Sequence, residues 1–175
     1  MIYTFIPYSV DKNYGEACNE MMDLLPEDGW GCILDHDICF TTYNWYVQLN
    51  EIIKKNVNGT YTACCNRIGN FAQQAHDAPN NNNIAAHRIY GEHRATRYWT
   101  RIKRLSRNFS GVLILTSKQT WKKVGGFKTT GILQVDHHFH ESLKRHDLPI
   151  YLMKGFYVYH WYRGGNRRDT QHLVN

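Results

Sequence analysis

The sequence predicts an α/β fold: a mixed, mostly parallel sheet flanked by helices, gathered in one minimal domain. Three observations predict it. Short apolar runs of strand character alternate along the chain with segments of helical period. The length, 175 residues, supports one hydrophobic core and not two. Hydrophobic residues make up 42 % of the chain, which places it among globular rather than disordered sequences. No repeat or linker divides it.

The first strand lies in "YTFIPY" and is stopped by Pro7. A helix follows, capped by Asn13 with Glu16 three residues on, and with Tyr14, Ala17, Cys18, Met21 and Leu25 at helical spacing. "PEDG" breaks it. The second strand carries the apolar run Cys32-Ile33-Leu34 and, at its end, Asp35-His36-Asp37. Trp45, Leu49, Ile52 and Ile53 mark the next helix, ending near "NVNG", and "YTACC" is a third strand. "HDAPNNNN" reads as a loop. Residues 85 to 107 read as one long helix, with Tyr98, Ile102, Leu105 and Phe109 on one face and Arg94, Arg97, Arg101 and Arg104 on another. "VLILT" is a fourth strand, and "SKQTWKKV" a short helix closed by Gly125-Gly126. "VDHHFHESLKRHD" is a helix ending before Pro149, and "IYLM" and "FYVYHW" are two closing strands.

A net charge of +6 favours an anionic partner: a nucleotide-linked substrate, a nucleic acid or an anionic surface. The start of the chain lacks the basic and apolar stretches of a signal peptide, and no run is long enough to cross a membrane. Cys18, Cys32, Cys39, Cys64 and Cys65 are an odd number with no Cys-x-x-Cys pair, so reduced thiols and a cytoplasmic location are expected.

Two constellations carry chemistry. Burying carboxylates costs several kcal/mol unless they have partners, yet the apolar run Cys32-Ile33-Leu34 ends in Asp35 and Asp37. In an extended strand those two residues share a side. At the carboxyl end of a strand in an open α/β sheet they would make a site for a hard divalent cation. The bland alternative is that Asp37 caps the next segment and Asp35 pairs with an arginine. The second constellation is Gly125-Gly126-Phe127, a tight turn, followed by Asp136 at a helix start and, much later, His160 at the end of an alternating strand. A positioned carboxylate at Asp136 can accept a proton from a hydroxyl group; plain capping is the alternative. His160 is otherwise a strand histidine bonded to backbone.

The order of these features resembles the nucleotide-sugar glycosyltransferases of the GT-A fold, of the family 2 type. The matching pieces are Leu34-Asp35-His36-Asp37 as the Asp-x-Asp motif, Asn19 in the preceding helix, Gly125-Gly126-Phe127, Val135-Asp136, and Val158-Tyr159-His160-Trp161-Tyr162-Arg163. The resemblance spans roughly residues 2 to 163 and implies a GT-A-like, Rossmann-like architecture. Residues 1–60 would form the nucleotide and metal part, and 85–165 the acceptor and catalytic part. It further implies a hexosyl transfer from a UDP-sugar to an acceptor hydroxyl on a glycan or lipid-linked glycan, with inversion. Asp35, Asp37 and His160 would hold Mn²⁺ or Mg²⁺ on the donor diphosphate, Asp136 would be the general base, and Pro7, Tyr8, Ser9, Asn19 and Arg163 would meet the nucleotide sugar. The chain departs from the family in having one strand–helix unit, not two, before the Asp-x-Asp, so the part that contacts the base is reduced. No Gln-x-x-Arg-Trp motif of the processive synthases is present.

Two other functions fit the same residues. The stripe Arg94, Arg97, Arg101 and Arg104, with Tyr98 and Trp99 nearby, would serve a nucleic-acid-binding protein, unless it is a solvated helix face. A metal-dependent hydrolase of nucleotide sugars would use the Asp/His cluster with water in place of an acceptor.

Overall fold

The computed structural model describes residues 1–55, 58–129 and 131–162. Its centre is a seven-stranded open sheet: β1 (Ile2–Phe5), β2 (Trp30–Leu34), β3 (Ile38–Phe40), β4 (Thr60–Cys65), β5 (Ile102–Arg104), β6 (Leu113–Ser117) and β7 (Ile150–His160). The spatial order is β1-β2-β6-β4-β7-β3, with β5 also on β7. β1 runs parallel to β2, and β4 parallel to β7; β6 lies antiparallel between β2 and β4. Four strands, β1, β2, β4 and β7, therefore share one direction, and their carboxyl ends meet along one edge of the sheet.

Helices cover both faces. Alternation along β2 and β6 sends Cys32, Leu34, Leu113 and Leu115 to one side, where α2 (Trp45–Lys55) packs Leu49, Ile52 and Ile53 on them. Ile33 and Ile114 point the other way, toward α1 (Tyr14–Asp23), α4 (Lys118–Lys123) and α5 (Val135–Arg145). The cap of α1 forms as the sequence predicts: Asn13 accepts from the Glu16 N–H at 3.3 Å, and its amide donates to the Glu16 carboxylate at 2.7 Å. Met22, not Met21, takes the innermost place on that helix. No helix among the described residues is long and apolar enough to cross a membrane. All five cysteines are free thiols; burial pushes Cys18 and Cys32 up to about 12.

Four elements differ from the sequence reading. The long helix expected over 85–107 is shorter: α3 spans Ile84–Tyr98. Its end is fixed at Trp99, whose indole donates to Glu51 at 2.6 Å and whose carbonyl accepts from Gln48 at 2.8 Å. A side chain on Gly155 would stand 2.6 Å from the Trp99 carbonyl oxygen, so glycine lets the two backbones close up. The chain then leaves the helix, and Ile102–Arg104 pairs with Tyr151–Met153. Pairing with an open sheet edge thus outcompetes the helical pattern of Tyr98, Ile102, Leu105 and the arginines. The two closing strands are one strand, β7, with an irregularity opposite Ala63 and Cys64 that carries the register from Met153 to Tyr157. The short strand β3 was not expected; it pairs with Val158–His160. Finally, the β2 strand stops at Leu34, so Asp35 and Asp37 lie in a turn and not on a pleat.

α3 is seated on β7 through Gly91, where an added Cβ would lie 2.1 Å from Thr41 Oγ1. Thr41 in turn donates to the Tyr157 carbonyl at 2.5 Å. Gly91→Ala should destabilise the fold by about 1–3 kcal/mol, the usual cost of overpacking. Urea unfolding checks this: the midpoint falls while the denaturant slope stays constant.

Candidate metal centre and catalytic carboxylate

The parallel strands bring the candidate residues together at the carboxyl edge. β3 pairs Ile38 with His160, so the turn that carries Asp35 and Asp37 lies against the end of β7, and the Trp161 N–H donates to the Asp37 carbonyl at 2.9 Å. His160 is buried, and its Nε2 lies 3.0 Å from Asp37 Oδ1 and 3.8 Å from Asp35 Oδ2. Its other nitrogen, Nδ1, lies 2.8 Å from the Arg67 carbonyl oxygen. A carbonyl can only accept, so Nδ1 carries the proton and Nε2 is the nitrogen turned to the carboxylates. Metal-ligating histidines are oriented in the same way, by donating the second ring N–H to a backbone carbonyl.

Asn66 fixes the strand under that ring. Its amide accepts from the His160 N–H at 2.8 Å and donates to the His160 carbonyl at 3.2 Å. Burial raises the Asp37 carboxyl, but the His160 imidazole beside it, with His36, brings it below the ordinary carboxylate value. His36 is exposed and sets Nδ1 3.1 Å from Asp35 Oδ1. Asp35, His36 and Asp37 each offer a ligand atom, all within 4.8 Å of one another. Two carboxylates and an imidazole with a fixed tautomer fit a divalent cation that accepts oxygen and nitrogen ligands.

Asp136 stands in the first turn of α5. It accepts from the His137 N–H at 2.8 Å and, across the chain, from the Gly111 N–H at 2.9 Å. The next residue, Val112, accepts from the Asp35 N–H at 3.2 Å. Two adjacent peptide units at the entry to β6 therefore join the carboxylate of α5 to the Asp35–Asp37 turn. Tyr14, at the start of α1, registers both: burial first, then Cys18 and the charges of Asp35 and Asp136, push its phenol well above the usual value. Gln134 stands at the cap of α5 in the left-handed region with φ of 67° and makes no side-chain cap bond, so the first-turn His137 N–H is met by Asp136, as the capping alternative expects, while the Gly111 N–H adds a partner from outside the helix.

The other expected residues fall in two groups. Pro7, Tyr8 and Ser9 follow β1 at the same edge; Tyr8 is 80 % exposed and Ser9 Oγ accepts from the Asn13 N–H. Asn19 is turned instead to the Gly125–Phe127 turn: it accepts from the Phe127 N–H and the Trp121 indole and donates to the Phe127 carbonyl, at 2.8 to 2.9 Å. Gly125 and Gly126 occupy the left-handed region there. Arg163 lies outside the described residues. A depression of about 510 Å³ beside this turn, lined among others by Lys128, His138 and Arg145, does not include Asp35, Asp37 or His160.

Sequence reading missed Asn66 and the Arg67 carbonyl. A backbone acceptor leaves no mark on the residue type, and one asparagine among many carries no pattern. The basic stripe expected of a nucleic-acid binder is dispersed. Arg94 turns inward, donating to the Lys154 carbonyl and the Tyr90 hydroxyl at 2.8 Å, while Arg101 and Arg104 lie beyond the helix. No family model matches the chain, and no curated protein matches its sequence.

The depressed Asp37 carboxyl has a signed consequence. A carboxyl lowered on folding stabilises the fold above its unfolded value, about 3.9, and that contribution is lost as pH falls through the folded value. Wild type should lose stability below about pH 4 more steeply than Asp37→Asn. Denaturant midpoints measured from pH 6 down to 3 check this, and parallel curves would refute the coupling.

Proposed function

We propose that the protein is a metal-dependent glycosyltransferase that moves a sugar from a nucleoside-diphosphate sugar, UDP-linked, to an acceptor hydroxyl with inversion. The observation that carries this reading is the meeting, at one sheet edge, of a cation ligand set with a separately held carboxylate: Asp35, Asp37 and His160 on one side, Asp136 on the other, joined through Gly111 and Val112. A structural cation site has no need of the second carboxylate.

Mn²⁺ or Mg²⁺ bound by the three residues would neutralise charge growing on the diphosphate leaving group, an effect on the order of several kcal/mol. The nitrogen ligand favours Mn²⁺, since Mg²⁺ prefers oxygen. The Arg67 carbonyl keeps the His160 ring presented through Nε2, and Asn66 keeps the strand beneath it in place. Asp136 accepts only two backbone N–H groups, and a carboxylate has about four acceptor sites, so lone pairs remain for an acceptor hydroxyl. Asp136 takes the hydroxyl proton as that oxygen bonds to the anomeric carbon. The bond from that carbon to the diphosphate breaks, and its electron pair leaves with the nucleoside diphosphate. Attack from the face opposite the leaving group inverts the centre.

Calorimetry with UDP and MnCl₂ tests the donor half. Wild type should bind UDP only with Mn²⁺, and Asp37→Ala and His160→Ala should lose that dependence; unchanged metal-dependent binding in Asp37→Ala would remove the site. Asp136→Asn tests the other half. It should keep UDP affinity and lose transfer by about two to four orders of magnitude, the scale of general-base catalysis. Donor consumed by water as fast in the presence of every acceptor as in its absence would make the protein a hydrolase instead.

A further inference from the structure

The segment between β4 and α3 has no role so far beyond holding His160. It leaves β4 at Cys65 and returns to it, since the Ala75 N–H donates to the Cys65 carbonyl at 2.8 Å. On one flank it touches the metal centre: Asn66 and the Arg67 carbonyl hold His160, and a side chain on Gly69 would stand 3.6 Å from the hydroxyl of Tyr162, whose ring lies edge-on to His160. On the other flank it touches the catalytic carboxylate's surroundings. Asn70 donates to the Asn108 carbonyl, and Asn108 Nδ2 lies 2.5 Å from the ring of His137, next to Asp136. Gln73 is buried and bonded to Thr62 and Ser110, one residue before the Gly111 N–H that holds Asp136. The segment thus bridges the two halves of the site.

At its tip, in the 3₁₀ turn Phe71–Gln73, Phe71 is 76 % exposed. A tightly anchored turn that presents such a ring to solvent forgoes the gain of burying it. Its one ring neighbour is His76, also exposed, with centroids 4.1 Å apart. The two rings offer a small exposed aromatic surface on this bridging segment.

We propose that Phe71 and His76 form a stacking platform for a sugar ring of the acceptor, an inference that rests on the glycosyltransferase reading. A pyranose has one face of polarised C–H bonds, and these meet the electron-rich face of an aromatic ring favourably. The polar groups that join this turn to its surroundings outside the core are Asn70, Asn108 and His137, amides and an imidazole that match neutral hydroxyl-bearing ligands. A phosphate-bearing strand would call for lysine and arginine there. The nearest guanidinium within the segment, Arg67, is engaged by Asn82 at 2.8 Å. The turn that carries Phe71 is linked toward Asp136 through Asn70, Asn108 and His137.

Saturation-transfer NMR on the full chain tests this, with methyl β-D-glucopyranoside, methyl β-D-galactopyranoside and methyl α-D-mannopyranoside as probes and adenosine as the competing aromatic. Wild type should saturate the ring C–H protons of at least one glycoside. Phe71→Ala should reduce that signal several-fold with an unchanged unfolding midpoint, and Phe71→Trp should restore it. Equal signal in Phe71→Ala, no signal from any of the three glycosides, or displacement of the glycoside by adenosine at lower concentration would overturn the proposal. The calorimetric test with UDP and Mn²⁺ is separate. Its failure beside a Phe71-dependent glycoside signal would leave a sugar-binding surface without the transferase.

Discussion

The candidate site depends on one hydrogen bond, from His160 Nδ1 to the Arg67 carbonyl. It settles which imidazole nitrogen carries the proton and turns Nε2 toward Asp37 and Asp35. Without it, the ring could turn and Nε2 would no longer be held toward the carboxylates. An imidazole–carboxylate contact serves equally as an ion pair or as two parts of a cation shell. With Nδ1 engaged by the Arg67 carbonyl, Nε2 is the ring nitrogen that faces both carboxylates. A half-buried carboxylate facing a buried histidine has a charge balance that changes with what enters.

The sheet explains why residues so far apart in sequence meet. Asp35 follows β2, Asn66 follows β4 and His160 ends β7, and these strands share one direction. Polar groups at their carboxyl ends are gathered along one edge without any loop having to span the sheet. The antiparallel β6 enters from that same edge, so Gly111 and Val112 are available there as backbone partners for Asp136 and Asp35. A purely parallel sheet would have placed the end of a crossover at this point instead.

Much of this was legible in the residues. The apolar runs ending in carboxylates located β2 and the site, the alternation in "FYVYHW" located His160, and the Asn13–Glu16 pair located the start of α1. The expectation that Asp35 and Asp37 share a side held for a different reason, because a turn and not a pleat brings both to His160. The strand β3 escaped notice because three residues show no period. The end of α3 did as well, since it is set by Glu51, Gln48 and Gly155, which are distant in sequence. Asn19 carries the motif position but spends its amide on Phe127 and Trp121, a use no local pattern announces.

The shortened helix leaves Ile102–Arg104 as the outermost strand along the first half of β7. An outer strand presents unpaired backbone groups and invites another chain to add a strand of its own. Here the exposed side chains of Arg101, Lys103 and Arg104 crowd that border with positive charge. Two copies brought edge to edge would set these cations against one another. Arg101 and Arg104, two of the four that suggested a grip on phosphate, thus lie where their charge disfavours pairing of this edge with a second copy.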